Sequence, residues 1–330
     1  MTRQVTAIPV HEASVEALAD KTVAVLGFGA QGSAHALNLR DSGCRVIVAQ
    51  RPGPRHAQAL AAGFEPCAVR EATERADLLI FGLPDDTAGE IYATDIAPHL
   101  RAGQTLGFLH GFAIHYRLIE PPPEVDVVLV APKAQGRGVR SEFLAGRGVL
   151  ALVAIAQDAT GSAKATALGW AAGIGSNRAG LLETTFADET ETDLFGEQAV
   201  LCGGLSALIR AGFDTLVEAG YPPELAYFEC CHEVKLLADL ICEGGITYMR
   251  ERISSTARYG DLTRGPRVVD DTTRQHMRTI LAEIRSGKFA REFLEDTRAG
   301  APRSRTLLER DRHHPLESVG RTLRALMRGG

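Results

Sequence analysis

The stretch Thr22-Val-Ala-Val-Leu26-Gly27-Phe28-Gly29-Ala30-Gln31-Gly32 decides the fold. Its first five residues read as a short buried strand, its glycines as a tight turn, and the residues on to about Asp41 as a helix. A Gly-x-Gly-x-x-Gly turn between a strand and a helix suits a dinucleotide. The first glycine permits the turn, the second lets backbone approach a pyrophosphate, and the third lets the helix pack closely on the strand. The anion then rests at the helix N-terminus, where backbone N–H groups have no intrahelical acceptors. Gly27, Phe28, Gly29, Ala30, Gln31 and Gly32 are therefore expected to bind a nicotinamide cofactor.

Outward from the turn, apolar runs at 45–49, 78–81, 105–109, 125–130 and 149–153 alternate with helical patterns. That rhythm predicts an α/β fold with a Rossmann-type, doubly wound parallel sheet. After about Leu182 the strand signals stop, and helical patterns follow at 193–219, 222–242 and 270–297. The expected division is a Rossmann NADP-binding domain over 1–184 and an all-helical domain over 185–330. Gly203-Gly204 and Gly244-Gly245 interrupt the helical patterns at a cost in propensity, which implies close approach of backbone at those points.

The residue closing the second strand distinguishes NAD from NADP, because an acid there would hold the ribose 2'-hydroxyl and repel a 2'-phosphate. This chain has Gln50, followed by Arg51 and, four residues on, Arg55. Two guanidinium groups can face a phosphate dianion, so NADPH is expected.

The helical half carries a second kind of chemistry. Asp193 and Glu197, and again Glu229 and Glu233, stand at i,i+4 and would share a helix face. Carboxylate oxygens on one face suit hard cations such as Mg2+. Leu194, Phe195, Ala199 and Val200 surround the first pair, and Phe228 and Val234 flank the second. Carboxylates buried among such residues would need a cation or a protonated state to offset desolvation, and a metal is the more economical of the two. A metal and a hydride carrier in one chain suggest polarisation of oxygens coupled to reduction. His110 and Lys133 each follow an expected strand, at the carboxyl edge where open α/β sheets place their ligands.

Composition argues against other classes. The 330 residues carry a formal net charge of -5, with both signs interleaved, so nucleic acid is not an expected partner. The late arginines, Arg303, Arg305, Arg310, Arg312, Arg321, Arg324 and Arg328, are broken by Glu309, Asp311 and Glu317 and read as a solvated or subunit-contacting surface. Six cysteines without a CxxC pair read as reduced thiols in a cytoplasmic protein. No leader is evident in the first twenty residues, no stretch approaches the length of a spanning helix, and no membrane association is expected.

The chain resembles the short, prokaryotic-type (class I) ketol-acid reductoisomerases, also called acetohydroxyacid isomeroreductases. The matching runs are 27–39, His110-Gly-Phe-Ala-Ile-His115, Val130-Ala-Pro-Lys133, Glu183-Thr-Thr-Phe186, 189–204, 226–233 and Tyr259-Gly-Asp261. The resemblance implies conversion of 2-acetolactate or 2-aceto-2-hydroxybutyrate to dihydroxy acids, by an alkyl shift with two Mg2+ ions and an NADPH reduction. It further implies a knotted helical domain and a homodimer or higher oligomer. Asp193 would bridge the ions and Glu197 complete one shell, while the partner subunit supplies Glu229 and Glu233 for the other. His110, Lys133 and Glu233 would act in proton transfer, and Ser254 would contact the substrate. Arg51, Pro54, Arg55, Asp85 and Gly136 complete the expected cofactor contacts. Two departures stand out: Pro54 and His56 replace serines that commonly hold the 2'-phosphate, and Ala134-Gln135-Gly136 replaces Gly-Pro-Gly. Alternatives are a pathway-specific paralogue acting on a related 2-keto-hydroxy acid, a metal-independent hydroxyacid dehydrogenase, and a nucleotide-sensing protein without chemistry.

Overall fold

The computed structural model describes residues 4–328, the last of these by its backbone only, so the Arg328 side chain lies outside the described residues. The chain divides into two compact units, Met1–Thr190 and Glu191–Gly330.

The first unit is built on an eight-stranded sheet: β1 (Thr6–Ile8), β2 (Thr22–Leu26), β3 (Arg45–Ala49), β4 (Leu78–Phe81), β5 (Thr105–Phe108), β6 (Asp126–Pro132), β7 (Ala151–Gln157) and β8 (Leu181–Glu183). Its strand order is β1-β8-β7-β6-β5-β4-β2-β3. The five strands from β6 to β3 run parallel, as expected. To the expected parallel sheet the structure adds two antiparallel pairings, β7 on β6 and β1 on β8. The sheet is therefore mixed. Both faces of β2 are buried: Val23 and Val25 enter one apolar cluster, Ala24 and Leu26 the other. Such two-sided burial explains why the strand reads as a continuous apolar run rather than an alternating one.

The Ala30–Asp41 helix follows the glycine turn, as read. Its His35 is fully buried and accepts a hydrogen bond from Trp170 Nε1 at 2.9 Å. Desolvation pushes the His35 pKa down to about 3, which keeps the ring neutral as an acceptor.

Beyond Glu183 no strand occurs among the described residues. The helical runs start and break differently from the periodic pattern. The Phe186–Gly196 helix passes into a π-helical turn, Glu197–Leu201, before Gly203–Glu218. A second π turn, Phe228–His232, joins the short Pro223–Tyr227 helix to Val234–Arg252. Gly203 and Gly204 owe their identity to the first π turn, since a Cβ there would stand 2.2 and 2.1 Å from the carbonyl oxygens of Gln198 and Ala199. Gly245, at φ +86°, breaks the later helix outright.

The run Phe186–Glu218 is long and apolar enough by length and composition to cross a bilayer, which corrects the expectation that no stretch approaches that length. Only 6% of its most apolar window is buried within the chain.

Candidate functional site

Two connected hollows lie at the carboxyl edge of the parallel strands, sharing Gly29, Gly82, Leu83 and Pro84. The larger, about 610 Å³, is lined by Gly27, Phe28, Gly29, Gln50, Arg51 and Arg55 among others. The smaller, about 300 Å³, passes Ala30, Gln31, Gly32 and Asp85 and ends at His110. The three turn glycines serve different ends. A Cβ on Gly27 would stand 2.6 Å from the Gly82 carbonyl oxygen, and one on Gly32 would stand 2.2 Å from that of Gly27. At Gly29 it would meet nothing within 4 Å. Packing thus dictates Gly27 and Gly32, whereas Gly29 leaves open the space that a side chain would fill in front of the helix N-terminus. No acidic residue occupies the first turn of Ala30–Asp41, so nothing within that turn offsets the partial positive charge there.

The other expected cofactor residues fall into place unevenly. Phe28 turns its ring into the core against Phe64, 5.7 Å between centroids, and donates its N–H to Gln50 Oε1 at 2.8 Å. Gln50 at the strand end therefore braces the turn. Arg51 and Arg55 are exposed and line the larger hollow, Arg55 donating to Gln58 Oε1 at 3.0 Å. Pro54 opens the Pro54–Ala61 helix and lies outside the lining of both hollows. His56 lines an adjoining hollow of about 520 Å³ with Gln50 and Arg51. Gly136 is buried against the start of the Ala30–Asp41 helix, where a Cβ would stand 1.9 Å from the Ala30 carbonyl oxygen.

His110 and Lys133 follow β5 and β6 and meet on Glu189, a residue for which the sequence suggested no role. The Glu189 side chain is 1% exposed. It accepts from His110 Nδ1 at 3.0 and 3.3 Å, from the Gly111 N–H at 2.9 Å and from Lys133 Nζ at 3.4 Å. Burial alone would raise its pKa. The bond from His110, the charges of His110 and Lys133 and the Gly111 N–H outweigh that and hold the carboxyl below its ordinary value. An ionised Glu189 only accepts, so His110 Nδ1 carries a proton whether the ring is neutral or charged. The helix can approach because residue 111 is glycine: a Cβ there would stand 2.3 Å from Thr190 Oγ1 and 2.8 Å from the Phe186 carbonyl oxygen. Phe186 in turn packs edge-on against Phe108 of β5, 6.1 Å between centroids. The signal that could have identified Glu189 is its spacing, one helical turn before Asp193 and two before Glu197.

The carboxylate pairs belong to the second unit. Asp193 is half-buried beside buried Leu194, and Glu197 is exposed at the start of its π turn. Glu229 lies within the second π turn and Glu233 just after it, both exposed in the single chain. The expectation that these carboxylates are buried among apolar side chains is corrected for Glu197, Glu229 and Glu233. Ser254 caps the Ser255–Val268 helix, its Oγ accepting from the Ala257 N–H at 3.1 Å. That bond uses an acceptor lone pair and leaves the hydroxyl hydrogen to donate.

Comparison with known proteins agrees across nearly the whole length. Residues 17–180 match the acetohydroxy acid isomeroreductase NADPH-binding domain, and residues 186–329 match the ketol-acid reductoisomerase C-terminal domain. A solved NADH-preferring ketol-acid reductoisomerase from an uncultured archean is 42% identical, covering 97% of this chain and 99% of its own, with a TM-score of 0.94. A semialdehyde dehydrogenase NAD-binding protein from Cupriavidus necator shares the fold at 20% identity, with 81% and 99% of the two chains covered and a TM-score of 0.61. A putative oxidoreductase from Jannaschia sp. CCS1 does so at 14% identity, with 80% and 97% covered and a TM-score of 0.60. The chain belongs to the ketol-acid reductoisomerase family, enzymes of branched-chain amino acid synthesis with a nicotinamide-binding N-terminal domain.

Proposed function

We propose that the protein converts 2-acetolactate to 2,3-dihydroxyisovalerate, and 2-aceto-2-hydroxybutyrate to 2,3-dihydroxy-3-methylvalerate, using Mg2+ and NADPH in valine and isoleucine synthesis. The observation that carries this reading is the cleft from Arg51, past the open space at Gly29, to a His110 held by buried Glu189. That open space fits a pyrophosphate. The oxygen-only donors Asp193, Glu197, Glu229 and Glu233 fit hard divalent cations. When bound, two Mg2+ ions would supply Lewis-acid polarisation of substrate oxygens, and the nicotinamide would supply hydride.

The chain's own groups supply orientation and protons. Glu189 keeps the proton on His110 Nδ1, so Nε2 can take up or release one. The Lys133 ammonium, held by the same carboxylate, can donate to a hydroxyl or bound water, and Glu233 offers a further acid–base group. Ser254 would direct its hydroxyl hydrogen to a substrate oxygen.

For the cofactor, Arg51 and Arg55 favour a 2'-phosphate, and Gln50 presents no acid to repel it. Pro54 contributes no hydroxyl, so the preference for NADPH over NADH should be narrower than serines would give. The second unit supports self-association: Leu201, Leu208, Leu236 and Ile246 are 66, 53, 57 and 54% exposed. A partner copy would cover the apolar Phe186–Glu218 run and bring its own Glu229 and Glu233. The six cysteines are free, in keeping with a cytoplasmic enzyme.

The test is NADPH oxidation with each of the two substrates, with and without Mg2+, and with NADH in its place. Turnover unaffected by chelator, or reduction of simple 2-keto acids alone, would point to a hydroxyacid dehydrogenase instead. The changed 134–138 loop favours one second reading, a paralogue with a related 2-keto-hydroxy acid as substrate. That reading would show as poor kcat/KM for both named substrates and a better one elsewhere in a homologous series.

A further inference from the structure

We infer that Gln31 is a positioning residue that ties the cofactor turn to Lys133, so that occupation of the glycine turn sets where the Lys133 ammonium stands beside Glu189 and His110. The inference rests on the reading of that turn as the cofactor site. Gln31 opens the Ala30–Asp41 helix and donates its side-chain amide, Nε2, to the Ala134 carbonyl oxygen at 2.8 Å, across 103 residues of sequence. Its Oε1 is buried without a partner in the chain among the described residues, so the bond to Ala134 alone fixes the direction of this amide. The same loop lies directly on the helix start, where a Cβ on Gly136 would come 2.8 Å from the Gln31 backbone nitrogen.

The fastening continues along one face of the helix. Asn38 Nδ2 donates to the Val139 carbonyl oxygen at 3.3 Å, and Asn38 Oδ1 accepts from Arg140 Nη1 at 2.8 Å. Arg140 Nη2 reaches Asp41 Oδ2 at 2.6 Å. Residues 31, 38 and 41 thus hold the Gly136–Leu144 helix and the loop before it as one body with the helix that receives the pyrophosphate. Lys133 is also held by its N–H on the Leu150 carbonyl oxygen at 2.9 Å and by its Nζ on Glu189 Oε1 at 3.4 Å. Gln31 is the link nearest to Lys133 in the chain, one residue away through Ala134. Ligand held at the first turn therefore restrains, through this amide, the backbone that aims the ammonium.

Amide hydrogen exchange on the full-length protein, with and without NADPH or NADH, tests the link. In wild type the cofactor should slow exchange both at 27–33 and at 133–138. In Gln31→Met, which keeps length but removes the donor, protection at 27–33 should persist and protection at 133–138 should be lost. The variant's kcat should fall roughly three- to tenfold, in line with one lost hydrogen bond, with KM for the cofactor within about twofold. Wild type protected at the turn but unprotected at 133–138 would overturn the inference while leaving the cofactor reading intact, as would undiminished loop protection in the variant. Absence of protection at the turn with either cofactor would overturn both. The wild-type arm stands even if the variant does not fold.

Discussion

A carboxylate that is 1% exposed, like Glu189, stays ionised because donors around it, among them an imidazole, an ammonium and a backbone N–H, offset the lost hydration. Glu189→Gln keeps the shape and removes the charge, so it should lower stability by about 1.5–3 kcal/mol and reduce kcat by more than tenfold by freeing His110 to rotate. The sign of the pH effect follows from the direction of the shift. The folded-state pKa lies below the ordinary 4.5, so the contribution is fully present above that value and is lost as pH falls through the lower folded value. Thermal melts of wild type and variant should accordingly begin to converge below about pH 4.5; a gap that stays constant from neutral pH down to about pH 3 would mean that folding does not lower the pKa of this carboxyl. Arg51 and Arg55 give the second prediction at this scale. Replacing either by Ala should raise KM for NADPH roughly tenfold and leave NADH nearly unchanged, because only the phosphate contact is charge-assisted. Equal losses with both cofactors would show that these arginines do not read the phosphate. His110 and Lys133 were legible from their places at strand ends. Glu189 was not, because its partners lie 79 and 56 residues away and only the fold brings them together.

Among the elements, the strands of four or more residues were legible, since their burial in the sheet leaves predominantly apolar runs. β1 and β8 have three residues each, too few to carry a period, and the direction of β7 is not written in its composition. The π turns escaped for another reason: each inserts one residue into a helical pattern without altering its polarity. The first leaves a trace in the glycine pair at 203–204, whose missing side chains accommodate carbonyls five residues back. Helix propensity alone says that Gly203→Ala or Gly204→Ala should stabilise by about 1 kcal/mol. The clash says the reverse, a loss of about 1–3 kcal/mol, together with weaker Mg2+ binding as Glu197 is moved. A higher melting temperature for either variant would show that the π turn relaxes without cost.

Over the whole molecule, the sequence displayed two halves of different character. It did not display the exposure of the helical half, where an apolar run of spanning length stays largely uncovered in one chain. Burial depends on what else is present, and a periodic pattern does not say whether the covering surface belongs to the same chain. A second copy predicts complementation: an inactive Asp193→Asn protein mixed and refolded with an inactive Glu229→Gln protein should regain activity through hybrid dimers. Heterodimers that form and stay inactive would mean that the site is built within one chain. Coupling of metal-assisted alkyl migration to nicotinamide reduction in this one protein is tested by following NADPH consumption with 2-acetolactate while Mg2+ is titrated against a chelator. The expected outcome is 2,3-dihydroxyisovalerate formed one for one with NADPH oxidised, and no turnover in excess chelator. NADPH oxidation that continues without Mg2+, or that proceeds without formation of the rearranged dihydroxy acid, would contradict it.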